Sequence, residues 1–139
     1  MKFKKKITSR IKQFREGLDL SQLELAKLVG VSRQTIYYLE RGSYNPSLTI
    51  SFKISEILEK PIDKIFYQEP VIKDILEGKS LAELKEVAEA AGISLEKLAS
   101  LSEIDDEELT SSFNESLLVK IAIELGMEFE DLFEKEVEN

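Results

Sequence analysis

The sequence contains neither cysteine nor histidine among its 139 residues. The lack of cysteine excludes disulfide bonds and thiol nucleophiles, and the two absences together remove zinc-finger ligands and imidazole general bases. Most routes to catalysis near neutral pH are therefore closed, although chemistry that uses carboxylates alone stays possible. The sequence also lacks a glycine-rich loop that could cradle a phosphate. We predict that the protein is not an enzyme and that it needs no metal or cofactor.

Proline, glycine and long apolar runs are also scarce. The chain has three prolines and six glycines, and 42% of its residues are hydrophobic, which indicates a globular rather than a disordered protein. No apolar run approaches the roughly 18 residues that a membrane-spanning helix needs. The opening residues, MKFKKKITSRIK, lack the apolar core of a signal peptide. We expect a cytoplasmic protein with no membrane partner.

The net charge of −8 conceals a strong asymmetry between the two halves of the chain. Residues 1–68 contain 13 basic and 7 acidic side chains, which give +6. Residues 69–139 contain 6 basic and 20 acidic side chains, which give −14. Such asymmetry indicates a half that faces nucleic acid, joined to a half that has another role.

Helical periodicity runs through the whole chain. Apolar residues recur at spacings of three and four, and no strand-like alternation lasts long enough to compete, so we predict an all-α protein. Ile7, Ile11 and Phe14 mark the first helix. The next two helices are predicted to bury Leu25, Ala26, Leu28, Ile36 and Leu39.

Short polar residues mark the predicted helix starts. Ser21, followed three residues later by Glu24, forms a capping box at the start of the second helix. Gly30 supplies the tight turn after this helix, and Ser32 caps the third. A turn and cap at 45–47, ending on Ser47, precedes a fourth helix, and a short fifth helix ends the series.

Two short helices that are joined through a glycine turn form a helix-turn-helix, whose second helix enters the DNA major groove. The combination of S-Q-x-x-L-A, G-V-S, T-I, L-E-R-G and N-P-S makes residues 7–66 similar to the Xre/Cro/phage-repressor family of helix-turn-helix regulators. The resemblance covers about half of the chain. It implies a five-helix, lambda-repressor-like domain that binds double-stranded operator DNA, commonly as a homodimer.

The resemblance also implies a role for the exposed polar side chains. The helix that starts at Ser32 would read base edges in the major groove with Arg33, Gln34 and Tyr38. Arginine can bond two acceptors of guanine, and glutamine can bond adenine in the same two-point way. The implied contacts to the DNA backbone come from Gln22, Ser32, Thr35, Tyr44, Asn45 and Arg10. A basic N-terminal patch would strengthen binding without reading sequence, through Lys2, Lys4, Lys5, Lys6 and Arg10.

Some of these residues have structural alternatives. Tyr37 could pack against the fourth helix instead of contacting DNA, and the lysine-rich start could be a solubilising tail. By resemblance, Arg15 and Glu40 form a partly buried ion pair that supports the scaffold and contacts no DNA. Loss of one partner would leave a buried charge, at a cost of about 3–5 kcal/mol.

The second half of the chain repeats the apolar pattern of the first. A slide of 73 residues places Leu84 under Ile11 and Leu98 under Leu25. After a shorter loop, a slide of 67 continues the match to the end of the fifth helix. We therefore predict a second helix-turn-helix-like domain over residues 80–134, as an internal repeat. The predicted organisation is two five-helix domains in tandem, at residues 1–68 and 80–139, with a short helical connector at 69–79.

The surface of the second copy differs from that of the first. Arg33 and Gln34 are matched by Asp106 and Glu107, so this helix would present carboxylates to phosphates and cannot bind DNA in the usual pose. Asp105, with its neighbour three residues on, is predicted to cap the helix. The second domain could mediate self-association, recruit a basic partner protein, or suppress non-specific DNA binding by charge repulsion.

The sequence as a whole favours a sequence-specific, double-stranded DNA-binding transcriptional regulator, with repression as the predicted outcome. The alternative is an antitoxin-type autorepressor whose acidic C-terminal domain binds a partner protein. A neighbouring toxin gene or a co-purifying basic protein would distinguish the two hypotheses.

Overall fold

The computed structural model describes residues 1–136, so the last three residues of the predicted second domain, 137–139, lie outside the described residues. Most of the described residues are helical. In chain order the elements are β1 (Lys2–Phe3), β2 (Lys5–Ser9), α1 (Ile11–Gly17), α2 (Gln22–Val29), α3 (Arg33–Glu40), α4 (Leu48–Leu58), α5 (Ile62–Ile65), β3 (Phe66–Pro70), α6 (Val71–Glu77), α7 (Leu81–Ala91), α8 (Leu95–Ser100), α9 (Asp106–Ser112), α10 (Glu115–Glu124), α11 (Phe129–Leu132) and β4 (Phe133–Glu134).

The chain divides into two compact units. We name Lys6–Glu69 the continuous unit, and we name Met1–Lys5 together with the residues from Pro70 onward the discontinuous unit. The continuous unit has 10 basic and 8 acidic residues, a net charge of +2. The rest of the chain has 9 basic and 19 acidic residues, a net charge of −10. The charge asymmetry therefore has the predicted sign, but the continuous unit is less basic than residues 1–68 suggested.

The predicted domain boundaries differ from these units in two places. The first five residues belong with the C-terminal part of the chain, because Phe3 is buried in the core of the discontinuous unit. The connector predicted for 69–79 does form a helix, α6, but it is not a separate segment. Its side chains Ile72 and Leu76 are buried in that same core.

The all-α prediction is wrong in detail, because two small sheets accompany the helices. Strand β1 pairs with β4 in antiparallel register, and β2 pairs with β3. Ile7 therefore lies in a strand rather than in the first helix, which begins at Ile11. The β2 sequence KKITS includes two adjacent β-branched residues, which favour extended structure, but the strand is too short for a clear alternation.

The predicted caps of α2, α3 and α4 are confirmed. Ser21 Oγ accepts a hydrogen bond from Glu24 N at 3.0 Å, and Glu24 Oε1 accepts one from Ser21 N at 3.1 Å. Ser32 and Ser47 accept from the backbone amides of Thr35 and Ile50. Each of these serines satisfies an amide that the helix itself leaves without a partner, so the helix starts are fixed locally by sequence.

The core of the continuous unit contains nearly all of the predicted residues. Leu25, Ala26, Ile36 and Leu39 are buried, as predicted. Leu28 was predicted to be buried, but 59% of its surface is exposed. The buried stripe of α2 runs through positions 25, 26 and 29, and at about 100° per residue position 28 falls well outside that stripe.

The discontinuous unit has its own core, in which many positions predicted from the repeat are buried. Val87, Leu98, Leu101, Leu109 and Ile121 are among the buried residues of this cluster. Its helix starts carry side-chain caps at Ser80, Ser94, Asp105 and Asn114. The apolar pattern of the second half therefore corresponds to a packed core.

Candidate nucleic-acid interface

The candidate interface is built on helices α2 and α3. Helix α2 ends at Gly30, whose φ of +87° is the left-handed conformation that glycine adopts with little strain. Two residues later Ser32 caps α3, and its hydroxyl accepts the Thr35 amide at 3.1 Å. Because Ile36 and Leu39 anchor the inner face of α3 in the core, the orientation of its outer face is fixed.

The outer face of α3 carries the side chains predicted to read bases. Arg33 and Gln34 are exposed, and 44% of the surface of Tyr38 is exposed. Arg33 and Gln34 stand in the first turn of the helix and Tyr38 in the second, so the structure places the three on the solvent-facing side of one short helix.

Tyr37 lies on the same side of α3, but it is only partly exposed. Its ring packs edge-on against that of Tyr38, with centroids 5.5 Å apart, and its hydroxyl accepts a hydrogen bond from Arg41 Nη1. The Arg41 guanidinium also lies over the Tyr37 ring, 5.3 Å from its centroid. Tyr37 thus positions Tyr38 and Arg41 through side-chain contacts.

A chain of polar contacts links Arg33 to the buried part of the unit. Arg33 Nη1 donates to Gln22 Oε1 at 3.1 Å, and Gln22 Nε2 donates to Glu40 Oε2 at 2.7 Å. Both ends of the Gln22 amide are therefore engaged within the protein. Sequence reasoning assigned Gln22 to a phosphate but did not anticipate this bridge, for which no local sequence signal exists because the partners lie 11 and 18 residues away.

The predicted ion pair between Arg15 and Glu40 is confirmed. Glu40 Oε1 accepts from Arg15 Nε at 3.0 Å and lies 2.9 Å from Nη2, with only 10% and 5% of the two side chains exposed. Arg15 Nη1 also donates to the carbonyl of Leu20 at 2.8 Å. Since every buried polar side-chain atom of the described residues has a hydrogen-bond partner, this pair is fully satisfied.

The other residues predicted to contact the DNA backbone lie in different surroundings. Ser32 and Thr35 hydroxyls bond each other at 2.9 Å at the start of α3, and Tyr44 and Asn45 are exposed in the loop before α4. Arg10 is also exposed, but its guanidinium lies 4.0 Å from the centroid of the Tyr67 ring and donates to a backbone carbonyl at 3.1 Å. The structure thus groups four of these residues near α3 and gives Arg10 its own contacts within the protein.

The residues of the predicted basic N-terminal patch are divided between the two units. Lys2, Lys4 and Lys5 belong to the discontinuous unit, whereas Lys6 and Arg10 belong to the continuous unit. Lys5 Nζ lies 2.8 Å from Asp106 Oδ2, and Lys4 Nζ donates to the carbonyl of Glu130 at 3.2 Å. Sequence proximity could not reveal that Asp106 of α9 binds Lys5 and that a backbone carbonyl of α11 binds Lys4.

The acidic residues matched to the reading helix lie at the start of α9. Asp105 Oδ1 accepts the Glu108 amide at 2.8 Å, so the predicted cap is present. Burial works to raise the pKa of Asp106, but hydrogen bonds from Lys5 and the Phe3 amide outweigh it and lower that pKa below its usual value. Glu107 and Glu108 are exposed. The carboxylates therefore differ, and only Asp106 holds a distant segment of chain.

Among residues 1–136, no group of three or more acidic side chains is arranged to hold a metal ion. None of the helices described here has the length and apolar character that would let it cross a membrane.

Comparison with known proteins identifies the region that contains α1–α5. A helix-turn-helix family model matches residues 11–65. An uncharacterized HTH-type transcriptional regulator of Archaeoglobus fulgidus is 50% identical over 58 residues, which are 42% of this chain and 82% of the relative. A similar regulator of Methanocaldococcus jannaschii is 44% identical over 61 residues, which are 44% of this chain and 92% of the relative.

A bacterial relative shows the same pattern of coverage. YgzD of Bacillus subtilis, an uncharacterized HTH-type transcriptional regulator, is 34% identical over 61 residues, which are 44% of this chain and 92% of the relative. The segments matched in this chain therefore cover most of the length of these relatives. This coverage, together with the capped α2–turn–α3 pair, shows that the chain belongs to the Xre-like helix-turn-helix family of transcriptional regulators.

Proposed function

We propose that the protein is a sequence-specific, double-stranded DNA-binding transcriptional regulator that acts as a repressor. Helix α3 enters the major groove, with its N-terminal turn facing the base edges. The observation that carries this proposal is the exposed Arg33, Gln34 and Tyr38 face on a capped helix, within a segment that is 50% identical to an HTH-type transcriptional regulator.

The proposed contacts divide into reading and positioning roles. Arg33 bonds guanine, Gln34 bonds adenine, and Tyr38 contacts an adjoining base edge. Ser32 and Thr35 bond phosphates, as does the remaining donor capacity of Gln22, while Tyr44, Asn45 and Arg10 add further backbone contacts. Arg33 keeps donors for a base because its contact with Gln22 uses only Nη1.

The test is selection of bound sequences from a pool of random duplexes, with wild-type protein, Arg33→Ala and Arg33→Lys compared. The alanine variant should lose preference for one base pair, with discrimination reduced by about 1–3 kcal/mol at that position. The lysine variant keeps the charge but loses the fork geometry, so it should retain affinity for phosphates yet read the base less well. Uniform weakening of all sequences by Arg33→Ala would instead assign Arg33 to the DNA backbone.

We also propose that the regulator binds as a two-fold homodimer, which would place two α3 helices about 34 Å apart on successive turns of DNA. Repression would follow when such a dimer occupies an operator that overlaps a promoter. Sedimentation of the full chain, alone and on a selected duplex, checks this state. A chain that stays monomeric in both conditions contradicts the homodimer.

The discontinuous unit is proposed to be a degenerate helix-turn-helix repeat that does not bind DNA. Helices α7–α11 follow in the order of α1–α5, and a short strand ends each series. Gly92 in the α7–α8 turn has φ of +74°, and its match in the α1–α2 turn, Asp19, has φ of +56°. The positions matched to Arg15 and Glu40 are Ala88 and Phe113, so two buried apolar residues stand in place of the ion pair.

A partner protein remains a second candidate role for the discontinuous unit. The observation in its favour is the exposed acidic surface of α9 at Glu107 and Glu108, in a unit with a net charge of −10. A basic toxin protein would fit that surface, and the protein would then be an antitoxin that represses its own operon. The Glu107→Gln/Glu108→Gln variant, which lacks these two negative charges, should no longer retain such a partner in a pull-down in which the wild-type protein retains it.

A further inference from the structure

The first five residues of the chain pack against a surface of the discontinuous unit whose residues lie more than 100 positions later in the sequence. Strand β1 adds to the edge of β4, with Lys2 opposite Glu134 and Phe3 opposite Phe133. The backbone contacts continue beyond the strand, because Lys4 N donates to the carbonyl of Leu132 at 2.9 Å. Main-chain pairing of this kind is how an exposed strand edge takes up an extended peptide.

An aromatic side chain anchors this strand. Phe3 is 3% exposed, and its ring centroid lies 5.9 Å from that of Phe133, which in turn lies 5.4 Å from Phe129. Burial of an aromatic ring accounts for much of the stability of such a contact, so Phe3 is the main anchor of the strand. The edge of β4 therefore includes a pocket that selects an aromatic residue in the second position of the strand.

The Asp106 carboxylate of α9 makes polar contacts with both the backbone and a side chain of the N-terminal segment. Asp106 Oδ1 accepts the backbone amide of Phe3 at 3.0 Å, and Oδ2 lies 2.8 Å from Lys5 Nζ. One oxygen thus holds the backbone of the extended segment, while the other selects a cation two residues after the aromatic anchor. Both contacts are made by Asp106, and the other carboxylates of α9 take no part in them.

We propose that the discontinuous unit carries a docking site for a basic β-strand and that the occupant of this site is the N-terminus of the same chain. The site consists of the edge of β4, the Phe129–Phe133 pocket and the Asp106 carboxylate. Its ligand is an extended segment with a phenylalanine followed two residues later by a lysine. The carboxylate at the position matched to Arg33 thus binds the chain's own basic strand, and the ammonium of Lys5 is paired with Asp106 in place of a DNA phosphate.

The lack of cysteine in this chain makes a direct crosslinking test possible. Lys2 and Glu134 are both exposed and stand directly opposite each other in an antiparallel pair. The Cα separation of such pairs, roughly 4.5–5.5 Å, matches that of a disulfide. The full-length Lys2→Cys/Glu134→Cys variant should therefore form an intrachain disulfide quantitatively in a glutathione buffer. The single variants Lys2→Cys and Glu134→Cys serve as controls for crosslinking by random collision.

Non-reducing electrophoresis and the mass of the product distinguish the outcomes. A monomer that carries one disulfide supports docking within the same chain. A disulfide-linked dimer formed beyond the level of the single variants would show that a second copy supplies the strand, and it would overturn the proposal. The absence of any crosslink beyond those controls would also overturn it, because the N-terminus would then lie elsewhere.

The redox equilibrium with glutathione also gives the effective concentration of the two thiols. This effective concentration tests the contacts made by Phe3 and Asp106. Adding Phe3→Ala should lower it by about 100-fold or more. Adding Asp106→Asn should lower it by about 1.5- to 5-fold, as expected for a partly exposed ion pair. Glu107→Gln, on the same helix but exposed, is the matched control and should leave it unchanged. If Phe3→Ala and Asp106→Asn both behave like that control, neither contact holds the strand and the proposed site is wrong.

Discussion

Arg33 occupies the outer end of a relay of side chains that begins in the core of the continuous unit. Arg15 holds Glu40, Glu40 holds the amide nitrogen of Gln22, and the amide oxygen of Gln22 accepts from Arg33. The arginine side chain is long and flexible, so each contact that restricts it before binding lowers the conformational entropy that it loses on binding. The buried ion pair therefore supports the proposed base contact through Gln22.

Gln22 is the residue whose loss tests this relay most directly. We expect Gln22→Ala to reduce the same base preference that Arg33→Ala removes, because the Arg33 fork would no longer be held in place. The double variant should then discriminate no worse than Arg33→Ala alone, which is the non-additivity expected of coupled residues. Binding selections with the four proteins measure this cycle. Additive losses at different base positions would show that Gln22 and Arg33 act separately.

Arg15 should contribute strongly to stability, because its ion pair with Glu40 is largely buried. We expect Arg15→Ala to lower the free energy of unfolding by about 3–5 kcal/mol, because Glu40 would remain buried without its cation. Arg15→Met/Glu40→Leu should recover most of that loss, since buried ion pairs are often replaced by apolar groups at little cost. The discontinuous unit has the apolar residues Ala88 and Phe113 at the matched positions.

Denaturant unfolding of the full chain measures both variants, and DNA selection separates stability from reading. The Arg15→Met/Glu40→Leu protein should fold well but read the base at Arg33 less sharply, because Gln22 loses its Glu40 partner. A stable double variant with unchanged base preference would contradict the relay while leaving the ion pair's structural role intact.

Helices and strands differed in how far the sequence could predict them. The helix starts at Ser21, Ser32 and Ser47 were predictable because a cap depends on residues three positions apart. Strands β1 and β4 were not predictable, because each contains two residues and their paired residues lie 130 and 132 positions apart. Such pairing depends on the folded unit and leaves no periodic signal in either segment.

The candidate site shows the same division between local and distant information. Exposure of Arg33, Gln34 and Tyr38 followed from the helical period and the buried partners Ile36 and Leu39. The bridge through Gln22 and the binding of Lys5 by Asp106 could not be predicted, because each joins side chains whose proximity only the tertiary structure creates. Family motifs indicated the candidate interface, and packing determines which contacts its side chains make within the protein.

The contact between strand β1 and helix α9 should make stability depend on pH. The pKa of Asp106 is below its ordinary value of 3.8 in the folded chain, so this carboxylate stabilises the fold above that pH. Its contribution is lost as the pH falls below 3.8 and through the folded pKa, where the group takes up a proton in both states. Asp106→Asn should therefore be less stable than wild type at pH 7, with a difference that shrinks toward pH 2.

Denaturant unfolding at a series of pH values measures this difference. Glu107→Gln is the control, because Glu107 stands next to Asp106 in the same helix but is exposed. A gap between wild type and Asp106→Asn that stays constant from pH 7 to pH 2 would show that the carboxylate does not stabilise the fold through its charge.

For the whole molecule, the division into units changes how charge is assigned to function. Three of the lysines that made residues 1–68 strongly basic belong to the discontinuous unit, and the continuous unit keeps a net charge of only +2. Its DNA affinity must then depend on where its cations lie, since the total excess is small. Arg33 at the start of α3 and Arg41 beyond its end are the cations that this helix places on the proposed interface.

The salt dependence of DNA binding can test this distribution of charge. Each phosphate contact by a lysine or arginine contributes about −0.9 to the slope of log K against log salt concentration. Lys5 Nζ is paired with Asp106, so Lys5→Gln should leave that slope unchanged, although one positive charge is removed. Arg10→Gln, which removes a cation proposed to contact the DNA backbone, should reduce the magnitude of the slope by about 0.9. Titrations of a selected duplex between low and physiological salt measure the slopes of wild type and of the two variants. A decrease of about 0.9 for Lys5→Gln would mean that Lys5 reaches a phosphate, so that its pair with Asp106 opens when the protein binds DNA.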